Sequence, residues 1–258
     1  MSSRRSAAAT AASRAPGPQR ERRRTLPDHV VEELGRRIVR GEFAQRGLLP
    51  PELALAGQLG VSRNVLREAI KVLTSKGLIE VRPKIGTRVR KRRDWNVLDA
   101  DVLHWFSGAG KDLRNAHDFV EFRCIIEPQA AYLAAIRANE ADVATMRAAL
   151  AALEACVGHP ERVPLVDIAF HRSIYDASHN IVLQHLGSLI APLMQTQVVL
   201  TIAPAGEFER GLPLHRGVVE AIARGNARRA EARARALVTM PYEFLNRQLH
   251  PDNRGLLK

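Results

Sequence analysis

The chain has 258 residues, with 39 Lys and Arg against 27 Asp and Glu for a formal charge of +12, and only two cysteines. That length implies about two domains with a full hydrophobic core. The cysteines, Cys124 and Cys156, have no C-x-x-C spacing, and no apolar run approaches the roughly 18 residues of a membrane span, so a disulfide framework and a membrane protein are both excluded. They read as small buried hydrophobes in a reduced, cytoplasmic protein.

Residues 1–27 carry +6, residues 28–94 carry +7 and residues 95–258 carry −1. All the excess positive charge therefore lies in the first 94 residues. Counterion release makes such a surface bind a duplex, with a log-log salt slope of about −0.9 per phosphate neutralised. Residues 1–27, rich in Ser, Ala, Arg and Pro without a continuous apolar run, read as a disordered basic tail.

Asp28 is placed to cap a first helix in which Val30, Val31, Leu34 and Ile38 recur at helical spacing, and Gly41 ends it. Pro50-Pro51-Glu52 opens a short second helix that stops at Leu59-Gly60. Val61-Ser62 makes the turn, and Ser62 caps a third helix running to Lys76, with Gly77 as its stop. On that helix Arg63, Arg67 and Lys71 line one face, while Leu66, Ile70 and Leu73 line another. Two β-branched runs, Leu78 to Arg82 and Thr87 to Arg90, follow around Pro83-Lys84-Ile85-Gly86, which has the turn chemistry of a hairpin. A basic helix beside a basic hairpin is a winged helix-turn-helix, the shape that enters a major groove and grips the flanking phosphates. The composition changes at Trp95-Asn96, so residues 28–94 form the head.

From residue 95 to 250 one helical pattern succeeds another: 97–106, 112–137, 140–157, 164–177, 180–202, 212–224 and 226–249, with residues 251–258 as a C-terminal tail. Pro128 and Pro192 are expected to kink or divide the helices that hold them. Seven short-linked amphipathic helices make an antiparallel bundle. The fold class is mainly α: a winged head followed by an all-α bundle. Within the bundle, Asp167 and His171 lie four apart on one helix, a ligand spacing that a surface pair shares. His215 is a third candidate.

The run Val61-Ser62-Arg63-Asn64-Val65-Leu66-Arg67-Glu68-Ala69-Ile70-Lys71-Val72-Leu73, with Gly77-Leu78-Ile79 and the Gly86-Thr87 wing, resembles the DNA-binding head of the GntR family. Asp167-x3-His171, Asn180, and His215 with Glu220-Ala221-Ile222 resemble the helical effector domain (FCD type) of its FadR branch, and the likeness covers residues 28 to about 240. It implies that Arg63 and Arg67 contact bases or phosphates and that Ser62 and Asn64 support them. Lys71, Lys84 and Thr87 extend that face, and Gly86 allows close backbone approach at the wing tip. Leu53 stands where the family often has a basic residue. Many members hold a metal through an Asp and three His, and a carboxylate with two imidazoles suits a divalent ion such as zinc. Here Asp167, His171 and His215 match, but the fourth position is Leu237. The resemblance leaves two arrangements open, a three-ligand metal with free positions for an effector, or an effector held by hydrogen bonds alone.

By the same likeness Arg123 faces the cavity, where it can clamp a carboxylate; an intrahelical pair with Glu127 is the alternative. Gln195 and Arg172 lie on neighbouring helices as further candidates. The segment from Trp95 to Trp105 is similar to the linker of members that control sugar-acid operons, of the galactonate type, and implies a sugar-acid effector. The reading is a homodimeric, ligand-responsive repressor on a near-palindromic operator, and not an enzyme. A metal-dependent hydrolase with a DNA-binding head lacks a separate general base at motif spacing. A nonspecific architectural DNA binder would show neither sequence preference nor effector response.

Overall fold

The computed structural model describes residues 25–43, 47–108, 113–189, 191–202 and 206–249. The expected tails, apart from residues 25–27, lie outside the described residues. The head is built from α1 (Leu26–Val39), α2 (Glu52–Leu59), α3 (Arg63–Ser75) and a hairpin of β1 (Ile79–Arg82) and β2 (Gly86–Val89). Leu34, Ile38, Leu55, Leu66, Leu73, Leu78 and Ile79 fill its core. The strands pair antiparallel, Ile79 opposite Val89 and Arg82 opposite Gly86, and Leu48 bridges to Arg88 outside them.

Helix α1 starts two residues before the expected cap. Thr25 is the N-cap, and Asp28 lies at the third helical position, where its carboxylate accepts the Thr25 amide at 2.8 Å. Either residue type can cap; Pro27, with φ fixed and no amide to lose, favours the earlier start.

The remaining chain forms α4 (Ala100–Gly108), α5 (Leu113–Arg137), α6 (Glu140–Glu154), α7 (Val163–Ala177), α8 (Ile181–Leu189), α9 (Ala191–Ile202), α10 (Glu207–Ala223) and α11 (Ala227–Leu249). Pro128 does not divide α5. The single span expected over 180–202 is two helices, with Pro192 in the first turn of the second, where a missing amide costs nothing. Helix α10 begins earlier than expected, after Gly206 at φ 82, and takes Pro213 into its interior. Asn180 caps α8, its Oδ1 accepting the amides of Val182 and Leu183. Among the described residues no helix is long and apolar enough to cross a membrane.

The boundary read at Trp95 hides how α4 packs. Val102, Trp105 and Phe106 of α4 are buried in the head core, so α4 lies against α1 on one side and α9 on the other. The Trp105 ring lies flat on Gly35, where a Cβ would meet it at 2.6 Å, and its indole donates to Glu32 at 3.1 Å. At the other end of α4, Lys76 at the end of the third helix is clamped by Asp99 at 2.8 Å and Asp101 at 2.7 Å. Burial works against the Lys76 charge, but bonds and charges from Asp101 and Asp99 outweigh it and raise its pKa. Gly77, at φ 77, lets the linker backbone pass beneath, since a Cβ there would meet the Asp94 carbonyl at 3.0 Å.

Candidate functional site

Two clusters of charge stand out, one in water and one sealed. The first is the outer face of α3. Ser62 caps it, accepting the Val65 amide at 3.4 Å, and Arg63, Asn64, Arg67 and Lys71 are all exposed. Leu66, Ala69 and Leu73 turn inward instead, and Ile70 is half-buried. The wing adds exposed Arg82, Lys84 and Ile85, with Lys84 at φ 64 and Gly86 at φ 108 in the turn. Thr87 is half-buried and its carbonyl accepts the Leu49 amide. Arg67 is held by Glu52 at 2.6 Å and Lys71 by Glu68 at 2.8 Å, loose surface pairs that a phosphate can replace. Leu53 is exposed on the neighbouring helix, a position that offers no charge.

The second cluster lies inside the bundle, where α5 brings Arg123 and Glu127, α7 brings Asp167 and His171, and α10 brings His215, all buried. The i, i+4 spacings that the sequence exposes put each pair on one helix face. Packing then joins them. Glu127, read from sequence only as a partner for Arg123, has two partners: Arg123 Nε at 2.5 Å and His171 Nδ1 at 2.7 Å. Arg123 Nη2 lies 3.3 and 3.1 Å from the two ring nitrogens of His171. Such near-equal distances place it over the ring, off both lone pairs. Its other amino group donates to Gln197. Gln195 is exposed, because two residues along a helix turn a side chain through about 200°. Arg172 is likewise turned outward, 3.6 Å from Asp176.

The hydrogen bonds fix the imidazoles. His215 Nδ1 donates to the Gly211 carbonyl at 2.9 Å and His171 Nδ1 to Glu127. Each ring then presents Nε2 towards Asp167, at 3.1 Å for His215 and 3.7 Å for His171. Two lone pairs aimed at one carboxylate repel unless positive charge sits between them, a proton or a metal ion. Candidate ligand atoms of Asp167, His171 and His215 all lie within 4.8 Å of one another. A carbonyl behind one ring and a carboxylate behind the other fix ring orientation, as such partners do for metal-bound histidines. The residues therefore fit a divalent ion, with Asp167, His171 and His215 as its holders; Leu237 lines the same cavity and cannot coordinate.

Burial alone would raise both carboxyls. With protons on both rings, Arg123 and His171 hold Glu127 down at about 2, and His171 and His215, with the His215 bond, hold Asp167 at about 2; a metal ion in place of the ring protons leaves the imidazoles neutral. With neutral imidazoles the cluster carries one cation against two anions. A divalent ion plus one effector carboxylate balances it. The cavity beside this cluster has a volume of about 60 Å³ and is walled by Leu237, Met240, Pro241 and Phe244 of α11.

Comparison with known proteins matches both halves. Residues 26–89 match the family described as bacterial regulatory proteins, gntR family, and residues 118–239 match the FCD domain. The chain is 35% identical to the uncharacterised HTH-type regulator YieP of Escherichia coli over 82% of this chain and 92% of that one. It is 32% identical to the galactonate operon transcriptional repressor of the same organism, over 82% and 93% of the two. A solved structure of Lar, which controls expression of the Listeria monocytogenes agr system, superposes with a TM-score of 0.55 at 20% identity, covering 88% of this chain and 99% of that chain. Helix α4 falls between the two matched regions.

Proposed function

The chain belongs to the GntR family, with an FCD domain behind its winged head; it is a DNA-binding transcriptional regulator and not an enzyme, and we propose that it is a cytoplasmic homodimeric repressor released by a hydroxy-acid effector. Each head places α3 in the major groove of one half-site, so that two-fold symmetry sets a near-palindromic operator. Ser62, Arg63, Asn64, Arg67 and Lys71 meet the groove, and Lys84, Gly86 and Thr87 meet the flanking backbone. In the bundle Asp167, His171 and His215 hold a divalent ion, zinc by the chemistry of its nitrogen and oxygen donors. When bound, that ion supplies a charge for the effector's carboxylate and hydroxyl. The observation that carries this reading is the pair of Nε2 lone pairs converging on a buried carboxylate beside Arg123.

The similarity to a galactonate operon repressor favours a sugar acid. The smallness of the cavity, about 60 Å³, favours a second, narrower reading, a short 2-hydroxy acid. Effector binding reaches the head through α9. Gln197 grips Arg123, and Leu193, one turn earlier, packs against the head core beside α4. A ligand that takes over the Arg123 guanidinium frees α9, and α4 shifts with it on Gly35 and Lys76. The coupling this needs is about 1–3 kcal/mol.

Thermal shift with lactate, glycolate and galactonate, with and without chelator, and operator binding of His215→Ala test it. One acid is expected to raise the melting temperature only when metal is present. His215→Ala is expected to bind operator normally and to ignore that acid. An effector response that survives His215→Ala overturns the assignment of the pocket, and a stabilising acid that is indifferent to chelator removes the metal.

A further inference from the structure

Tyr175 follows His171 by one turn of α7, as His171 follows Asp167, so the three rise along one side of the helix. It is 1% exposed, and its hydroxyl has no hydrogen-bond partner among the described residues. The ring is pinned at its base by α8, since a Cβ on Gly187 would meet Tyr175 Cβ and Cγ at 2.9 Å. A long side chain on a helix leans towards the helix N-terminus, so the phenol lies back over the turn of His171, where Glu127 accepts the Nδ1 proton. The charges of Glu127 and Arg123 both act on it. Burial and the Glu127 charge push its pKa up, so the phenol stays a neutral donor.

A buried hydroxyl without a partner destabilises the state that strands it, and a second state that bonds it recovers the loss. The neighbours say which acceptor that is. Asp167 stands two turns away, roughly 12 Å along the helix at ~1.5 Å per residue, beyond the reach of a phenol. Glu127 accepts Arg123 Nε at 2.5 Å and His171 Nδ1 at 2.7 Å, and Arg123 is the group that an effector carboxylate claims. Once the guanidinium turns to the effector, Glu127 keeps the imidazole and loses the cation. Gly187 holds the Tyr175 ring still, whereas Glu127 stands on a flexible stem, so the carboxylate makes the move.

We propose that Tyr175 is a positioning residue for the effector-bound state: its hydroxyl donates to Glu127 when the effector draws Arg123 away, so that Glu127 orients His171 alike with and without ligand. This rests on the effector pocket proposed above and adds to it a residue outside the lining of its cavity. Urea unfolding of Tyr175→Phe, in the unaltered chain and in Arg123→Met, tests it without any ligand. Phenylalanine keeps the ring against Gly187. In the unaltered chain the hydroxyl has no bond to lose, and the midpoint is expected to stay or rise. In Arg123→Met, where Glu127 has lost its cation, the same substitution should raise the unfolding equilibrium constant at least tenfold. If Arg123→Met does not fold, Arg123→Lys, with its shorter reach, takes its place. With lactate, glycolate or galactonate, whichever stabilises the unaltered chain, Tyr175→Phe should raise the dissociation constant at least fivefold and leave effector-free operator binding as it was. An equal effect in both backgrounds, or a loss of stability in the unaltered chain, means that the hydroxyl is already bonded or that only the ring matters, and overturns this proposal alone. If none of the three acids binds, the choice of effector falls, and the comparison of backgrounds still decides Tyr175.

Discussion

The cations of the head, Arg63, Arg67 and Lys71, stand in water, whereas Arg123 in the bundle is shut away from it with Glu127, Asp167 and two histidines. The difference is one of dielectric. Exposed charges cost nothing to keep and bind any polyanion, with an affinity that salt erodes. Buried charges must be neutralised on the spot, so each fixes the geometry of the next, and together they recognise one ligand. One region is open to a partner; the other, with its imidazoles neutral, is short of a single positive charge.

The contrast breaks most visibly if a buried partner is removed. Glu127→Ala leaves Arg123 and His171 without their shared carboxylate, and stranding a buried charge costs about 3–5 kcal/mol. Urea unfolding should register that loss, in a transition that the isosteric Glu127→Gln only partly recovers. A loss below about 1 kcal/mol would mean that water reaches the cluster and that it behaves as the surface pairs do.

Acid sharpens the same contrast. Glu127 and Asp167 titrate at about 2 in the folded chain, below their ordinary 4.5 and 3.8. As pH falls, the unfolded chain takes up these protons first, so their contribution is complete above about pH 4.5 and is lost on the way down to about 2. Stability should fall steeply across that window. In Glu127→Gln the fall should be shallower by one proton's worth of slope, and an unchanged slope would show that other carboxyls govern acid unfolding.

What was legible in the sequence divides along the same line. Helix α3 could be read whole, because its cap, its stop and its two faces are all local: Ser62, Gly77, and the alternation of Arg67 with Leu66 and Leu73. The i, i+4 pairs Arg123 with Glu127 and Asp167 with His171 were also visible. That Glu127 joins the two pairs was not, since it depends on α5 packing against α7. Gln197 was missed for Gln195 because the α9 sequence has no polar stripe to say which face is inward. The docking of α4 on the head was concealed by distance in sequence: Trp105 needs Gly35, and the change of composition at Trp95 suggests a border where the packing has a joint.

The smallest expected effect falls on the exposed side. Arg67→Ala should weaken operator binding by about 1–3 kcal/mol, and if Arg67 meets a phosphate the log-log salt slope should drop by about 1. Head stability should hardly move, because the Arg67 to Glu52 pair is an open one whose loss costs at most about 1 kcal/mol. If Arg67 reads a base instead, affinity for the operator falls while affinity for random duplex and the salt slope both stay, so one titration series separates the two roles. Unaltered operator affinity would take α3 out of the groove. The exposed charges would then be solvated surface, and the difference between head and bundle would lose its functional meaning.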